Sequence, residues 1–277
     1  MFNKLINFFG RKQPVINFAC RSWGVRKYAP IQPAGKFFPE KFKKMSHYFE
    51  DGKAEHNIDN HKTVRACPGI TDYMSMGFVI PAWCDITIEP TPDGKHIITR
   101  YSDEQYNDAF HPDGQLGKFM EGKFKVRGAV KLDNPWFTWN KPGWSTLYLP
   151  MYYHERNWEA VPGLMDHDLG APQSPINIML KEIKKTEIKM GEPIVQAIPF
   201  KREPMVARTM ELDESAWKRQ LAISSLHKMS YAGWLKWVKA KKLYSVDARD
   251  KTYPATKHHH KFLKLLLPLY VFRCQHG

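Results

Sequence analysis

Asp166, His167 and Asp168 are consecutive in the sequence, and His154 and Glu155 lie a short distance upstream. Imidazole and carboxylate groups are ligands for iron, so this set is a candidate metal site. Iron motifs of this kind are His-x-His or His-x-Asp/Glu with a distant histidine, whereas His167 and Asp168 are adjacent. Aspartate also favours turns, because its side chain bonds the local backbone. The spacing therefore favours a turn at residues 166–168.

Aromatic and basic residues alternate in a second candidate site near the C-terminus. Stacking aromatics and phosphate-neutralising cations together are typical of nucleic-acid binding. The alternative is that the tryptophans pack on a core while the lysine stems extend to water, since no known nucleic-acid motif accompanies the segment. The residues are Trp234, Lys236, Trp237, Lys239, Lys241, Lys242 and Tyr244.

Neither the histidine run at 258–260 nor the cysteines indicate a metal site. Adjacent residues alternate faces on a strand and fan out by about 100° on a helix, so three neighbouring histidines rarely share an ion. Cys20, Cys67, Cys84 and Cys274 include no CxxC pair, which argues against zinc. We predict buried, reduced thiols, no metal and no cofactor.

The composition predicts a globular protein outside the membrane. Of 277 residues, 43% are hydrophobic and 25% charged, which excludes bulk disorder, and 13% are aromatic. The most apolar run, 262–272, contains Lys264 and Pro268 and is far shorter than the roughly 20 residues that a bilayer requires. The apolar start at 1–10 is followed by no cleavage site, so we expect no signal peptide.

The positive charge is concentrated towards the C-terminus. The net charge is +14, and residues 201–277 contain 16 Lys and Arg against six Asp and Glu. A basic surface suits nucleic acid or an acidic protein partner, and the alternative is a solvated helix face.

Three regions must position these residues. Residues 1–60 are loop-rich, with one strand at 15–20 and a helix starting near Pro39. Residues 206–277 are predicted to be a basic helical tail, because acidic residues come first and lysines last, in the order that the helix dipole favours. Residues 61–205 are predicted to be a β core with strands at 78–88, 96–101, 126–132, 144–149, 175–180 and 193–199.

Three short segments of the β core resemble the β-clip fold of trimeric dUTPases and dCTP deaminases. The sequence reads WNKPGWSTLY at 139–148, GLMDHDLG at 163–170 and GEPIVQ at 191–196. These enzymes share a glycine turn, a G-hydrophobic-hydrophobic-D-x-D turn and G-x-x-I-x-Q. The resemblance implies that Gly163 and Gly191 allow tight turns and that Gln196 satisfies backbone groups between strands.

The resemblance also implies an active-site role for Asp166, beside Asp168, with Mg²⁺ as the cofactor of such an enzyme. The match is partial, however. Leu169 occupies the position of the tyrosine that packs under the sugar, and LPMY at 149–152 replaces the Arg-Ser-Gly phosphate motif. A phosphate requires backbone donors or a cation at that place, so the fold alone does not imply the activity.

A broader likeness covers most of residues 15–205. CPGI at 67–70, GFVIPAWCD at 77–85 and AIPFKRE at 197–203 resemble a family of tailed phages and some bacteria that has no established activity. This resemblance implies a viral source.

Together these patterns predict a mainly β protein with a β-clip or jelly-roll-like sandwich or barrel core and a C-terminal helical appendage. The favoured function is a non-catalytic structural or accessory binding protein of a phage. It would self-assemble, with a trimer implied by the resemblance, and contact nucleic acid or an acidic protein through residues 201–277. It would act in the virion or the host cytoplasm. The alternatives are a dUTPase-like nucleotide hydrolase or deaminase and a cupin-type metal-dependent oxygenase.

Overall fold

The described part of the chain falls into two compact units. The computed structural model describes residues 15–48, 63–120, 122–170 and 173–207, with positions 209 and 214. The larger unit contains 15–45 and 72–203, and the smaller one contains the other described residues. The predicted helical tail lies almost entirely outside the described residues.

Fourteen strands and three short helices form most of the regular structure in these ranges. None of the described helices is long and apolar enough to cross a bilayer. The helices are α1 (Trp23–Tyr28), α2 (Glu40–Lys44) and α3 (Pro68–Ser75). The strands are β1 (Asn17–Ala19), β2 (Gln32–Pro33), β3 (Phe78–Pro81), β4 (Ile86–Pro90), β5 (Ile97–Tyr101), β6 (Asp108–His111), β7 (Ala129–Leu132), β8 (Phe137–Trp139), β9 (Trp144–Pro150), β10 (Trp158–Ala160), β11 (Gly163–Met165), β12 (Ile176–Leu180), β13 (Thr186–Ile188) and β14 (Pro193–Lys201).

The strands form four antiparallel sheets. The largest has the order β11-β9-β14-β3-β2, a second has β10-β12-β7-β6, a third has β13-β4-β5, and β1 pairs with β8. The predicted mainly β core is therefore confirmed. Within the described ranges these sheets remain open, and no barrel closes.

One interior is shared by the three larger sheets. Ile80 and Val195 come from the five-stranded sheet, Val130 and Ile178 from the four-stranded sheet, and Ile88 from the three-stranded sheet. Each is at most 1% exposed, and burial of such a side chain contributes about 1.5–3 kcal/mol. The period-2 burial of β4 and β13 turns one face of the small sheet towards this core.

The predicted strand at 96–101 is confirmed as β5, which pairs with β4 in a hairpin that has Gly94 at φ +68° in its turn. The predicted strand at 78–88 is instead two strands in different sheets. Between them Ala82 donates its N–H to Glu192 O and accepts from Gly191 N–H, so the chain bonds to the turn before β14. Pro81 ends β3 and Asp85 immediately precedes β4, so both residues mark this change of sheet in the sequence.

The pairing of β9 determines where the candidate site lies. One edge of β9 pairs with β14, from Val195 opposite Pro150 to Lys201 opposite Trp144. Its other edge pairs with β11, where Met165 lies opposite Thr146. The start of β9 therefore lies between the ends of β14 and β11.

Candidate functional site

The three residues after β11 form the predicted turn. Leu169 N–H donates to Asp166 O at 3.0 Å, and Gly170 ends the turn with φ +96°. A left-handed φ is readily available to glycine, so the chain can reverse here without strain. The turn directs the side chains of Asp166 and Asp168 towards the start of β9 and the residue that follows β14.

A single arginine joins the two aspartates. Arg202 Nη1 lies 2.9 Å from Asp166 Oδ1 and 2.8 Å from Asp168 Oδ1, and Nη2 contacts Asp168 Oδ2. Ser145 donates its hydroxyl to Asp166 and accepts a 2.9 Å hydrogen bond from Arg202 Nη1. Gly143 N–H donates to Asp168 Oδ2 at 2.6 Å. We call Ser145, Asp166, Asp168 and Arg202 the arginine clamp.

The clamp keeps both carboxylates ionised. The Ser145 hydrogen bond, with Arg202, lowers the pKa of Asp166 below its usual value. The hydrogen bonds from Arg202 lower the pKa of Asp168, whose side chain is only 3% exposed. In turn, Asp168 and Asp166 raise the pKa of Arg202. Two carboxylates that already accept hydrogen bonds from an arginine and a serine are weak bases. Their hydrogen bonds can instead stabilise the turn.

The clamp does not fit a resident Mg²⁺. This ion prefers near-octahedral oxygen ligands with several waters, but the guanidinium already occupies the space between the two carboxylates. Over the described ranges, no group of three His, Cys, Asp or Glu side chains is arranged to hold a metal ion.

His167 points away from the clamp and into the protein. It is 2% exposed, and its Nε2 lies 2.9 Å from Tyr148 Oη and 3.0 Å from Ser174 Oγ. The turn therefore separates adjacent residues by environment, with both aspartates on one side and the histidine in a buried polar network. The hydroxyl groups of Tyr148 and Ser174 therefore provide hydrogen-bond partners for the buried imidazole.

The histidine and glutamate upstream do not complete an iron site with the turn. His154 Nε2 bonds Phe37 O at 2.9 Å, and burial lowers the pKa of this histidine. Glu155 is exposed and pairs with Lys41. The described structure thus places the candidate set for a cupin-type oxygenase in three separate environments and does not bring it together as one iron site.

Gln196 bridges backbone groups, as the resemblance implied, but within one chain. Its Nε2 donates to Tyr73 O at 2.9 Å and Met76 O at 2.6 Å, at the end of α3. Gly77 follows with φ +71°, and a Cβ there would lie 2.3 Å from Ala197 O. Gln196 and Arg202 are six residues apart on an extended strand, about 20 Å, so this junction is separate from the clamp.

Gly163 does not have the conformation that the resemblance implied. It begins β11 opposite Tyr148, and its φ is outside the left-handed region. The prediction failed because the chain reverses at Gly170, after the aspartates, and not before them. Gly191 does have a positive φ, +87°, in the turn before β14.

The predicted cysteine burial is confirmed for two of the three described cysteines. Cys20 and Cys84 are buried free thiols, as expected, while Cys67 is only half-buried. Arg202 and Ser145 were not predicted, because no local motif marks an arginine that pairs with a turn 34 residues away. Lys236, Trp237, Lys239, Lys241, Lys242, the histidine run at 258–260 and Cys274 lie outside the described residues.

Comparison with known proteins gives structural neighbours only. No protein-family model and no curated protein sequence matches the chain. A mutant dUTPase of phage phi11 of S. aureus, solved with a structural Mg(II) ion, is 10% identical; the match covers 72% of this chain and 99% of that chain, with a TM-score of 0.32. A mutant dUTPase of Staphylococcus bacteriophage 80alpha is 11% identical over 72% of this chain and 99% of that chain, with a TM-score of 0.32. At these values we base the functional assignment on this chain's own residues.

Proposed function

We propose that this chain is a non-catalytic structural or accessory binding protein of a phage. The observation that supports this function is the arginine clamp, in which Arg202 neutralises the carboxylates of Asp166 and Asp168. Asp166 occupies the position where a dUTPase-like enzyme would need a free aspartate, and here its carboxylate is bonded to Ser145 and Arg202. The chain would act in the virion or in the host cytoplasm, and the basic region 201–277 would contact nucleic acid or an acidic protein.

Self-assembly of the β core is the second part of this proposal. Within the described residues β11 pairs only with β9, so its outer edge has unpaired backbone groups. Leu164 on this strand is 51% exposed, and Leu169 just after it is 75% exposed. An edge strand with exposed leucines is a surface onto which another copy can add. We expect a homo-oligomer, with a trimer as the size that the β-clip resemblance implies.

Light scattering during size-exclusion chromatography tests self-assembly. Wild type is expected to elute as an oligomer at micromolar concentration, and Leu164→Asp as a smaller species, because a charge on the edge opposes pairing. Ile98→Asp is the matched control, since Ile98 is 49% exposed on β5, another edge strand. A monomeric wild type would contradict this part of the proposal, as would an oligomer that Leu164→Asp leaves intact.

One observation favours a nucleotide hydrolase or deaminase as a second candidate. Asp166 is ionised and its side chain is 38% exposed, so a water molecule or a sugar hydroxyl can reach it. Hydrolysis of dUTP and deamination of dCTP, each with Mg²⁺, test this candidate directly. We expect no turnover above background. Turnover by wild type that Asp166→Asn abolishes would establish the enzyme.

A further inference from the structure

The N-terminal part of the sequence is basic and contains no acidic residue. The first 39 residues contain seven Lys and Arg and no Asp or Glu. Among the described residues, no carboxylate lies within salt-bridge distance of Arg21, Arg26 or Lys27, which belong to α1 and the turn before it. Arg26 Nη1 donates to the backbone oxygens of Cys20 and Arg21, whereas Arg21 and Lys27 are exposed. Arg21 and Lys27 are therefore the charges that an external partner can contact, in contrast to the internally compensated charge of Arg202.

Two aromatic rings lie among these cations and are exposed. Trp23 and Tyr28, at the two ends of α1, are each 61% exposed, and their ring centroids are 6.0 Å apart at 88°. Lys27 Nζ lies 4.6 Å from the Trp23 ring and 5.0 Å from the Tyr28 ring. Burial does not explain why large aromatics occupy these positions, whereas contact with a partner does.

A second pair of exposed aromatic rings lies on the β1–β8 ribbon. Phe137 and Trp139 are 38% and 43% exposed, while Thr138 between them is buried, so both rings lie on the outer face of β8. Ala19 pairs with Phe137, and only three residues separate Ala19 from Trp23. The Cα atoms of Trp23 and Phe137 are therefore within about 20 Å of each other. We call Trp23, Tyr28, Phe137 and Trp139 the aromatic face.

We propose that the aromatic face binds single-stranded nucleic acid. Exposed rings provide surfaces on which unpaired bases stack, and the neighbouring Arg21 and Lys27 provide charge for the phosphates. A duplex offers no free base faces to such rings, whereas each unpaired base can stack on one of them. These residues are neither members of the arginine clamp nor part of residues 201–277, so each can be substituted without changing either.

Fluorescence anisotropy with a labelled oligothymidylate of about 15 nucleotides tests this proposal on the full chain. Trp23→Ala and Tyr28→Ala should each weaken binding about tenfold, because stacking on one ring contributes about 1–3 kcal/mol. Lys27→Ala should also reduce the slope of log K against log salt by about 0.7, whereas Trp23→Ala should not change that slope. Tyr152→Ala, at an aromatic that is 72% exposed outside the face, is the matched control and should bind like wild type.

Three results would overturn the proposal. The first is no binding by wild type at low salt, and the second is wild-type affinity in the Trp23→Ala and Tyr28→Ala double variant. The third is an oligomer that dissociates in the double variant, because the face would then be an interface between copies.

Repeating the titration in a Lys236→Ala and Lys239→Ala background separates any contribution of the tail to binding. The loss of affinity caused by Trp23→Ala should persist in that background. A duplex of the same length should bind more weakly than the single strand.

Discussion

The arginine clamp and the aromatic face use positive charge in opposite ways. At the clamp, Arg202 contacts two carboxylates and a hydroxyl from different strands and turns, so its charge is satisfied inside the fold. At the aromatic face, Lys27 has no carboxylate partner within the described ranges and lies over two exposed rings. We therefore propose a structural role for the arginine clamp, which lies in the motif-like region, and a binding role for the aromatic face, which carries no motif. Removing charge should therefore affect stability at the first site and binding at the second.

Arg202→Met should have the largest effect on stability. It leaves Asp168, whose side chain is 3% exposed, without its cation, and an uncompensated carboxylate at that position is strongly unfavourable. We expect the lowest melting temperature of all variants described here, with partial recovery in Arg202→Lys. A melting temperature equal to that of wild type would mean that the clamp contributes nothing to the fold.

The difference in melting temperature between wild type and Arg202→Met should depend on pH. The folded pKa values of Asp166 and Asp168 lie below the ordinary 3.8, so their contribution is complete at neutral pH. It is lost as the pH falls through the lowered values. The gap in melting temperature between wild type and Arg202→Met should stay constant from about pH 7 to 5 and shrink below about pH 4. A gap that widens in acid would assign the effect to other groups.

Gln196→Leu should destabilise the protein by about 2 kcal/mol. Met76 O loses the amide donor of Gln196, and Tyr73 O loses one of its two hydrogen bonds while keeping that from Met76 N–H. An unsatisfied buried acceptor costs about 1–3 kcal/mol. Chemical denaturation measures this change in the free energy of unfolding. Gln105→Leu, at an exposed glutamine, is the control and should be nearly neutral. Equal effects of the two variants would contradict the bridging role of Gln196.

Trp23→Ala and Tyr28→Ala should have the smallest effects on stability. Both rings are largely exposed, and substitutions at such positions usually change the free energy of unfolding by at most about 0.5 kcal/mol. Denaturation curves of the two variants should overlay that of wild type. A loss of several kcal/mol would show that the aromatic face packs as part of the fold, and the contrast with the clamp would disappear.

Local signals predicted the strands well and the contacts between them poorly. The hairpin at 86–101 and the turn at 166–169 depend on neighbouring residues, so Gly94 and the aspartates were sufficient to indicate them. The two partners of Gln196 lie 120 and 123 residues away, and Arg202 follows Asp168 by 34. Such pairs depend on how β9, β11 and β14 align, which is a property of the whole sheet. Trp23 was missed because exposure is not visible in a short helical segment.

Thermal unfolding of wild type and Asp166→Asn, with and without dUTP and Mg²⁺, tests the role of the clamp most directly. We expect the substitution to lower the melting temperature and the nucleotide to leave both proteins unchanged, since only ligands that bind the native state stabilise it. A rise of several degrees in wild type with dUTP, absent in Asp166→Asn, would contradict our account and make the turn a nucleotide site.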